Sequence, residues 1–270
     1  IFFVGLSVML YPAIADYWNS KTQSEAIVDY EQMIANMPKE DYSDIFKEAN
    51  KYNEELAKLN MPLIEHNKVN GYFDILNVNG VGMMGYIVID KIGVELPVYH
   101  TTNESVLSVA VGHLQGSSFP VGGKTTHAVV SAHRGLPSAA LFTDLDKLHE
   151  GDHFLLNVLD EILCYEVDQI TVVEPTETET LKVEDGKDLV TLLTCTPYGV
   201  NSHRLLVRGH RVEYVEETVM EEEVPLAEMS LHTNYLMWVI VGLAVTAVFI
   251  LLLFIFEKKQ RRKAETDKKE

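Results

Sequence analysis

The middle of the chain, from about residue 75 to residue 214, consists of short apolar runs separated by glycine, proline, asparagine and aspartate. The runs occupy residues 86–89, 96–99, 128–132, 154–158, 162–167, 189–193 and 204–207. Many short strands joined by turns are typical of an all-β barrel or sandwich. Two stretches, 104–111 and 139–148, interrupt the pattern, and Asn103 is placed to cap a short helix in the first. The sequence therefore predicts one mainly β domain, and about 140 residues suffice for its core.

A different periodicity precedes this domain, in residues 16–60. Apolar residues there recur at spacings of three and four, first as Ile27, Tyr30, Ile34 and Met37 and then as Ile45, Ala49, Tyr52, Leu56 and Leu59. This spacing places them on one face of a helix. We expect two amphipathic helices that pack against a larger body.

Both ends of the chain carry apolar segments. Residues 235–256 contain no charged side chain, and a helix of that length, about 33 Å, spans a bilayer core. Lysine and arginine crowd the start of the tail that follows, 257–270, which predicts a cytoplasmic C-terminus by the positive-inside rule. Residues 1–15 are interpreted as the remnant of a second membrane segment or of a signal.

The body between these segments is strongly acidic, because the net charge of the whole chain is -18 although its tail is basic. Such a charge suits a soluble extracytoplasmic domain and argues against binding to nucleic acid. Glutamates cluster between Glu216 and Glu223, close to Pro225. They predict a solvated acidic stalk over residues 216–234 in preference to a metal site.

Three kinds of side chain in the β domain suit acyl transfer. Cys195 follows an apolar run, and His133 lies where the run 128–132 opens into a loop, a common place for catalytic residues. Arg204 comes nine positions after Cys195, with Arg208 and Arg211 as competitors further along. A thiol attacks a carbonyl, an imidazole moves the proton, and a guanidinium stabilises the oxyanion. We expect Cys195 to be the nucleophile and His133 the general acid and base.

Other cysteines and histidines are expected to be structural. Cys164 lies in an apolar run without polar chemistry around it and is predicted to be in the core. A nucleophile must remain a thiol, so we expect no disulfide between the two cysteines. His127 shares the face of His133 but lies near the opposite strand end, and His203 points away from Arg204.

Several classes of site have no support in the sequence. No cysteine or histidine pair has zinc spacing, no glycine-rich loop suits a phosphate, and no basic face suits nucleic acid. We therefore expect no metal, no cofactor and no nucleic-acid partner.

The stretch 191–195 resembles the T-L-x-T-C signature of the sortases, the cysteine transpeptidases of Gram-positive cell surfaces. Residues 198–209 resemble the loop from cysteine to arginine and the final strand of class C sortases, the pilin polymerases. Further similar stretches lie at 84–89 and 119–123, so the resemblance covers about residues 76–215. It implies an eight-stranded sortase β-barrel with N-terminal helices and a C-terminal transmembrane helix. It also places the catalytic guanidinium, which stabilises the oxyanion and the substrate, at Arg204, which leaves Arg208 and Arg211 as surface charges.

The resemblance implies a cysteine transpeptidase that cleaves an LPxTG-like sorting motif between threonine and glycine through a thioacyl intermediate. A pilin lysine then attacks, and an isopeptide bond joins two subunits in pilus assembly. The expected partners are pilin subunits with a C-terminal sorting motif, a lipid-linked peptidoglycan precursor or a housekeeping sortase, and the membrane. Three alternatives stay open: a sortase that anchors surface proteins to peptidoglycan, a cysteine peptidase that uses water, and a non-enzymatic surface adhesin or sensor.

The segment 61–75 departs from the class C pattern. Class C sortases usually carry a lid with an Asp-Pro-aromatic anchor, whereas residues 59–67 read LNMPLIEHN. Either the segment is an ordinary linker, which we favour, or Glu65 and His66 take the place of the anchor. The expected location of the protein is the cell membrane, with the catalytic domain outside and the tail in the cytoplasm.

Overall fold

The computed structural model describes residues 2–78, 80–215, 240–244, 246, 255 and 258. The chain divides into two compact units, Ile1–Ala13 with Leu226–Glu270 and Ile14–Pro225, and the second unit contains the site. No helix within the described ranges is both long enough and apolar enough to cross a membrane. The predicted stalk and most of the predicted transmembrane helix and tail lie outside these ranges.

Two helices precede the strands, α1 (Phe2–Asn36) and α2 (Lys39–Leu56). Six of the apolar residues with helical spacing are buried: Ile27, Tyr30 and Ile34 in α1, and Ala49, Tyr52 and Leu56 in α2. The Tyr30 hydroxyl holds α1 on the barrel, since it donates to the Met84 carbonyl at 3.1 Å and accepts from the Leu159 amide at 2.8 Å. The predicted N-terminal helices are confirmed, although α1 continues without a break through position 15.

Eight strands close into a barrel in the order β1-β2-β3-β4-β7-β8-β6-β5. They are β1 (Met83–Ile89), β2 (Val94–His100), β3 (Val111–His113), β4 (Thr126–Ser131), β5 (His153–Val158), β6 (Glu161–Val173), β7 (Asp188–Thr196) and β8 (His203–Val212). The pairs β2–β3 and β4–β7 are parallel and the remaining pairs are antiparallel. Closure leaves no open sheet edge. The predicted eight-stranded barrel is confirmed.

Two strands differ from the predicted runs. The strand β3 has three residues and partly overlaps the predicted interruption 104–111, whose first part forms helix α4 (Glu104–Leu107). This short strand exists because both of its neighbours pair with it, a fact that local sequence does not show. The strand β6 extends to Val173, past the predicted end at 167, because a bulge between Val167 and Gln169 lets it continue along β8.

The strands β7 and β8 have two differently packed faces. Val190 and Leu192 point into the main core together with Leu205 and Val207. The alternate residues point outward, where they form the apolar cluster that we call the outer floor. Its members are Val129, Leu181 and Leu206, with Leu63, Leu114, Val173 and Leu193 at its margin. Its three central residues are buried, so the cluster is a second, smaller core beside the predicted catalytic residues, with Leu193 and Val173 half-buried at its margin.

Candidate active site

Cys195 and Arg204 are directly paired residues of the antiparallel strands β7 and β8. Directly opposite residues of such a pair point to the same face of the sheet. Both side chains are half-buried, so solvent and a substrate reach them. The structure thus brings the predicted nucleophile and the predicted guanidinium together on the outer face.

His133 joins them from the strand on the other side of β7. In the parallel pair β4–β7, Ser131 lies opposite Leu193. The chain remains in register past the end of β4, because the Ala132 amide donates to the Leu193 carbonyl at 3.2 Å. The buried Thr194 hydroxyl in turn donates to the Ala132 carbonyl at 2.8 Å. One residue further along this register, His133 lies beside Cys195, on the side away from Arg204.

Hydrogen-bond partners orient the side chains of His133 and Arg204. The His133 Nε2 atom lies 3.3 Å from a carboxylate oxygen of Glu104, the first residue of α4. The Arg204 guanidinium donates from Nη1 to the carbonyls of Asn201 at 3.2 Å and His203 at 3.0 Å. Glu104 was missed from the sequence because it lies 29 positions before His133 and carries no motif of its own.

The outer floor lies directly next to Cys195 and Arg204. Leu193 and Leu206 are paired with each other, two positions along their strands from Cys195 and Arg204 and on the same face. Val173 of β6 is paired with Arg204 and contacts the same cluster. Leu206 is buried, so the half-buried Leu193 and Val173 are the part of the cluster that the apolar residues of an extended peptide can reach.

Tyr198 forms a wall of the site from the β7–β8 loop. Gly135, two residues after His133, has φ +80°, and a methyl group there would lie 2.9 Å from the Tyr198 ring. Glycine is needed at this position both for its backbone conformation and for the close approach of the ring. The loop after Cys195 and the loop after His133 are therefore packed against each other.

The competing residues have structural partners. His127 bonds to the Thr191 hydroxyl at 2.7 Å and to the Lys182 carbonyl at 2.9 Å, and its burial lowers its pKa. His203 is paired with Thr196 and is exposed.

Arg208 is not the surface charge that we expected. Its guanidinium binds Asp168 at 2.9 Å and Glu184 at 2.8 Å, because both acids lie beside β8 once β6 and the β6–β7 connection are in place.

Cys164 lies on β6 in a small apolar cluster with Leu155 and is buried, as predicted. The two cysteines are not joined by a disulfide. Among the residues that the structure describes, no group of three or more His, Cys, Asp or Glu side chains is arranged to hold a metal ion.

The segment 61–75 lies close to the site. It contains the short helix α3 (Pro62–Glu65), and Leu63 of this helix contacts the outer floor. The Glu65 carboxylate pairs with Lys68 of its own segment. The Glu65 carboxylate is therefore held by Lys68, and no described contact joins it to Arg204 as a substitute lid anchor would require. Leu63 does contact the outer floor, beside Cys195.

Comparison with known proteins places this geometry in a family. The profile of the sortase domain matches residues 87–212. Sortase A of Bacillus anthracis is 26% identical over 213 residues, which are 78% of this chain and 91% of that protein.

Solved structures are more similar. Sortase C1 of Streptococcus agalactiae has 48% identity and a TM-score of 0.66, over 71% of this chain and 100% of that one. Sortase C-1 of Streptococcus pneumoniae has 44% identity and a TM-score of 0.63, again over 71% and 100%. Sortase C of Clostridium perfringens, solved with its C-terminal cell wall sorting motif, has 45% identity and a TM-score of 0.62, over the same shares of the two chains.

The chain belongs to the sortase family of cysteine transpeptidases. Within this family it is a sortase of class C, as the solved structures at 44–48% identity are. The predictions of a sortase, of an enzyme and of class C are thereby confirmed. The non-enzymatic adhesin or sensor is set aside.

Proposed function

We propose that this enzyme cleaves an LPxTG-like sorting motif between threonine and glycine and joins pilin subunits through a lysine isopeptide bond. Cys195 is the nucleophile, His133 the general acid and base, and Arg204 the group that stabilises the oxyanion and the substrate. The observation that carries the proposal is the direct pairing of Cys195 with Arg204, with His133 two residues after Ser131, the β4 residue that pairs with Leu193.

The first half-reaction breaks the peptide bond of the motif. The Cys195 thiolate attacks the threonine carbonyl carbon, and the carbonyl oxygen becomes an oxyanion next to the Arg204 guanidinium. The carbon–nitrogen bond then breaks, and the His133 imidazolium gives its proton to the leaving glycine amine. A thioester between Cys195 and the threonine remains.

The second half-reaction forms the isopeptide bond. A pilin lysine amine attacks the thioester carbon, His133 accepts a proton from it, and the carbon–sulfur bond breaks to restore the thiolate. Proton and charge balance over the two steps, since the proton lost to the glycine amine is replaced by one from the lysine. The position of His133 beside Cys195 allows one imidazole to serve both steps.

The half-buried Leu193 and Val173 at the margin of the outer floor support a motif with leucine and proline before the threonine. Apolar side chains that leave water for this surface contribute about 25 cal/mol per Å² of buried apolar area. Two similar structures support this motif class: sortase C of Clostridium perfringens was solved with a C-terminal cell wall sorting motif, and the structure of sortase C of Streptococcus pneumoniae bears on pilin substrate specificity.

The test is mass spectrometry of the full-length enzyme in detergent, incubated with an LPxTG-type peptide and a lysine-bearing pilin domain. We expect a thioacyl adduct on Cys195 that passes to the pilin lysine, and no adduct on Cys195→Ala. An adduct released only to water would favour the peptidase alternative. Transfer only to the amine of a peptidoglycan precursor would favour the anchoring alternative.

We further propose that residues 235–256 anchor the enzyme in the cell membrane, with the acidic stalk 216–234 and the barrel outside and the basic tail 257–270 in the cytoplasm. The charge-free length of the segment and the basic residues after it support this arrangement. Protease added to intact protoplasts should digest the barrel and leave an epitope tag at the C-terminus protected. Digestion of the tag under the same conditions would contradict this orientation.

A further inference from the structure

Arg134 follows His133 directly, and its side chain is only 8% exposed. A guanidinium is always charged and has five N–H donors, so burial is costly unless those donors are used. In this structure three of its nitrogens have partners: Nη1 donates to the Thr196 hydroxyl at 3.3 Å, Nε donates to the Thr143 carbonyl at 3.1 Å, and Nη2 pairs with Asp146. Arg134 is thus a fixed structural element.

The bond from Arg134 to Thr196 joins the same two chain segments as the reactive pair. In the register of the parallel pair β4–β7, His133 lies beside Cys195 and Arg134 beside Thr196. Successive residues of an extended chain point to opposite faces. Thr196 is the last residue of β7, so its side chain points away from the outer face on which Cys195 lies, and the Arg134–Thr196 bond lies behind the reactive pair.

The location of this bond explains why it is needed. The paired residues of β4 end at Ser131, and the last backbone bond between the two segments comes from the Ala132 amide. His133 is thus beyond the ladder that would otherwise fix its separation from Cys195. The Arg134 guanidinium replaces the missing ladder one position further along.

The other partners of Arg134 anchor it to the loop that follows His133. The Phe142 amide donates to the His133 carbonyl at 3.2 Å, and the Gly135 amide donates to the Thr143 hydroxyl at 3.2 Å. Since Phe142 is fully buried, this loop is held by the core. The guanidinium therefore connects a fixed loop to the end of the nucleophile strand.

We propose that Arg134 is a positioning residue that holds His133 at the proton-transfer distance from Cys195 through its bond to Thr196. The inference rests on the roles proposed above for His133 and Cys195. Misplacement of a proton-transfer group by about 1 Å costs on the order of 100-fold in rate. Loss of the Arg134–Thr196 bond should therefore lower kcat and leave substrate binding to Arg204 and the outer floor largely unchanged.

The test uses full-length enzyme in detergent and steady-state cleavage of a sorting-motif peptide, with each rate divided by the concentration of titratable Cys195 thiol. We expect Thr196→Val, which removes the acceptor hydroxyl at nearly constant volume, to lower kcat about 10- to 100-fold with KM within about twofold. Thr196→Ser keeps a hydroxyl at this position and should restore most of the rate. Arg134→Gln should behave as Thr196→Val does, and the double variant should be no slower than Arg134→Gln alone, because the two residues act through one bond.

Two results would overturn the inference. One is a rate per titrated thiol that stays at the wild-type value in Thr196→Val and Arg134→Gln, with only the free energy of unfolding lowered; Arg134 would then be structural. The other is full additivity in the double variant. Cleavage of the peptide by Cys195→Ala would instead refute the proposed function itself. Failure of the inference about Arg134 and failure of the proposed function therefore give different results.

Discussion

Cys195 and Arg204 form a directly opposed cross-strand pair, although nine positions separate them in the chain. Residues so paired have Cα atoms about 4.5–5.5 Å apart. The sulfur and the guanidinium therefore lie on the same face of two neighbouring strands.

Arg204→Gln should lower kcat/KM on a sorting-motif peptide by roughly 100-fold or more, because the oxyanion loses its cationic partner. Its free energy of unfolding should change little, since in the described contacts the guanidinium bonds only to the carbonyls of Asn201 and His203, close to it in the chain. The matched control is Arg208→Gln on the same strand. It breaks the pairs with Asp168 and Glu184 and should cost about 1–3 kcal/mol of stability with little loss of kcat. Equal effects of the two variants on kcat/KM would contradict the assignment of Arg204.

Glu104→Gln should have a small effect. The Glu104 side chain is 79% exposed, and exposed ion pairs contribute about 0–1 kcal/mol. We expect kcat to fall by no more than about fivefold, as measured by peptide cleavage at low ionic strength, and the difference from wild type to shrink in high salt. A 100-fold loss would show that this carboxylate is an essential partner of His133.

Gly116→Ala tests whether the segment 61–75 restricts access to Cys195. A methyl group at Gly116 would lie 2.6 Å from the Leu63 Cα atom and from the Pro62 carbonyl oxygen, so α3 must move away. If the segment acts as a lid, displacement of Leu63 from the outer floor should accelerate alkylation of Cys195 several-fold, as followed by mass spectrometry.

The control for this experiment is Gly151→Ala. Gly151 has φ +94°, close to the φ +90° of Gly116, but a methyl group there meets no atom within 4 Å. Both variants carry similar backbone strain, and only Gly116→Ala displaces α3. Equal alkylation rates in the two variants and in the wild type would favour the linker interpretation.

His113 should make the enzyme less stable in acid. Its Nε2 donates to the Ser118 carbonyl at 2.8 Å and its Nδ1 accepts from the Tyr72 hydroxyl at 3.0 Å, so the buried ring is neutral. Burial lowers its pKa from 6.5 to about 4. The unfolded chain binds the proton more readily, and stability is therefore full above pH 6.5 and is lost as the pH falls towards 4.

The shift corresponds to about 3 kcal/mol over this range. Urea unfolding of wild type and His113→Gln at pH 7.5 and pH 4.5 should show a smaller pH dependence in the variant. Some dependence will remain because burial lowers the pKa of His127 as well. An unchanged pH dependence in His113→Gln would show that the His113 ring does not titrate as described.

Local patterns in the sequence were sufficient to predict most of the helices and strands, and the structure places the predicted site residues Cys195 and Arg204 opposite each other. The apolar runs correspond to strands because a short apolar run bounded by turn residues is a local pattern, which does not depend on the pairing of distant strands. The position of Arg204 relative to Cys195 is a local property too, since both flank one hairpin loop. The strand β3 was missed because its three residues form a strand only through pairing with β2 on one side and β4 on the other.

The sequence by itself determined which groups suited to acyl transfer the chain offers, the thiol of Cys195, the imidazole of His133 and the guanidinium of Arg204, and that each lies close to the end of a strand. Only the tertiary structure decided how they are held together. The strands β4 and β7 pair across about 60 residues, and the partners Glu104, Asp146 and Thr196 reach His133 and Arg134 only after the barrel has closed. Contacts between residues far apart in the chain depend on the register of the whole sheet, which no local pattern specifies.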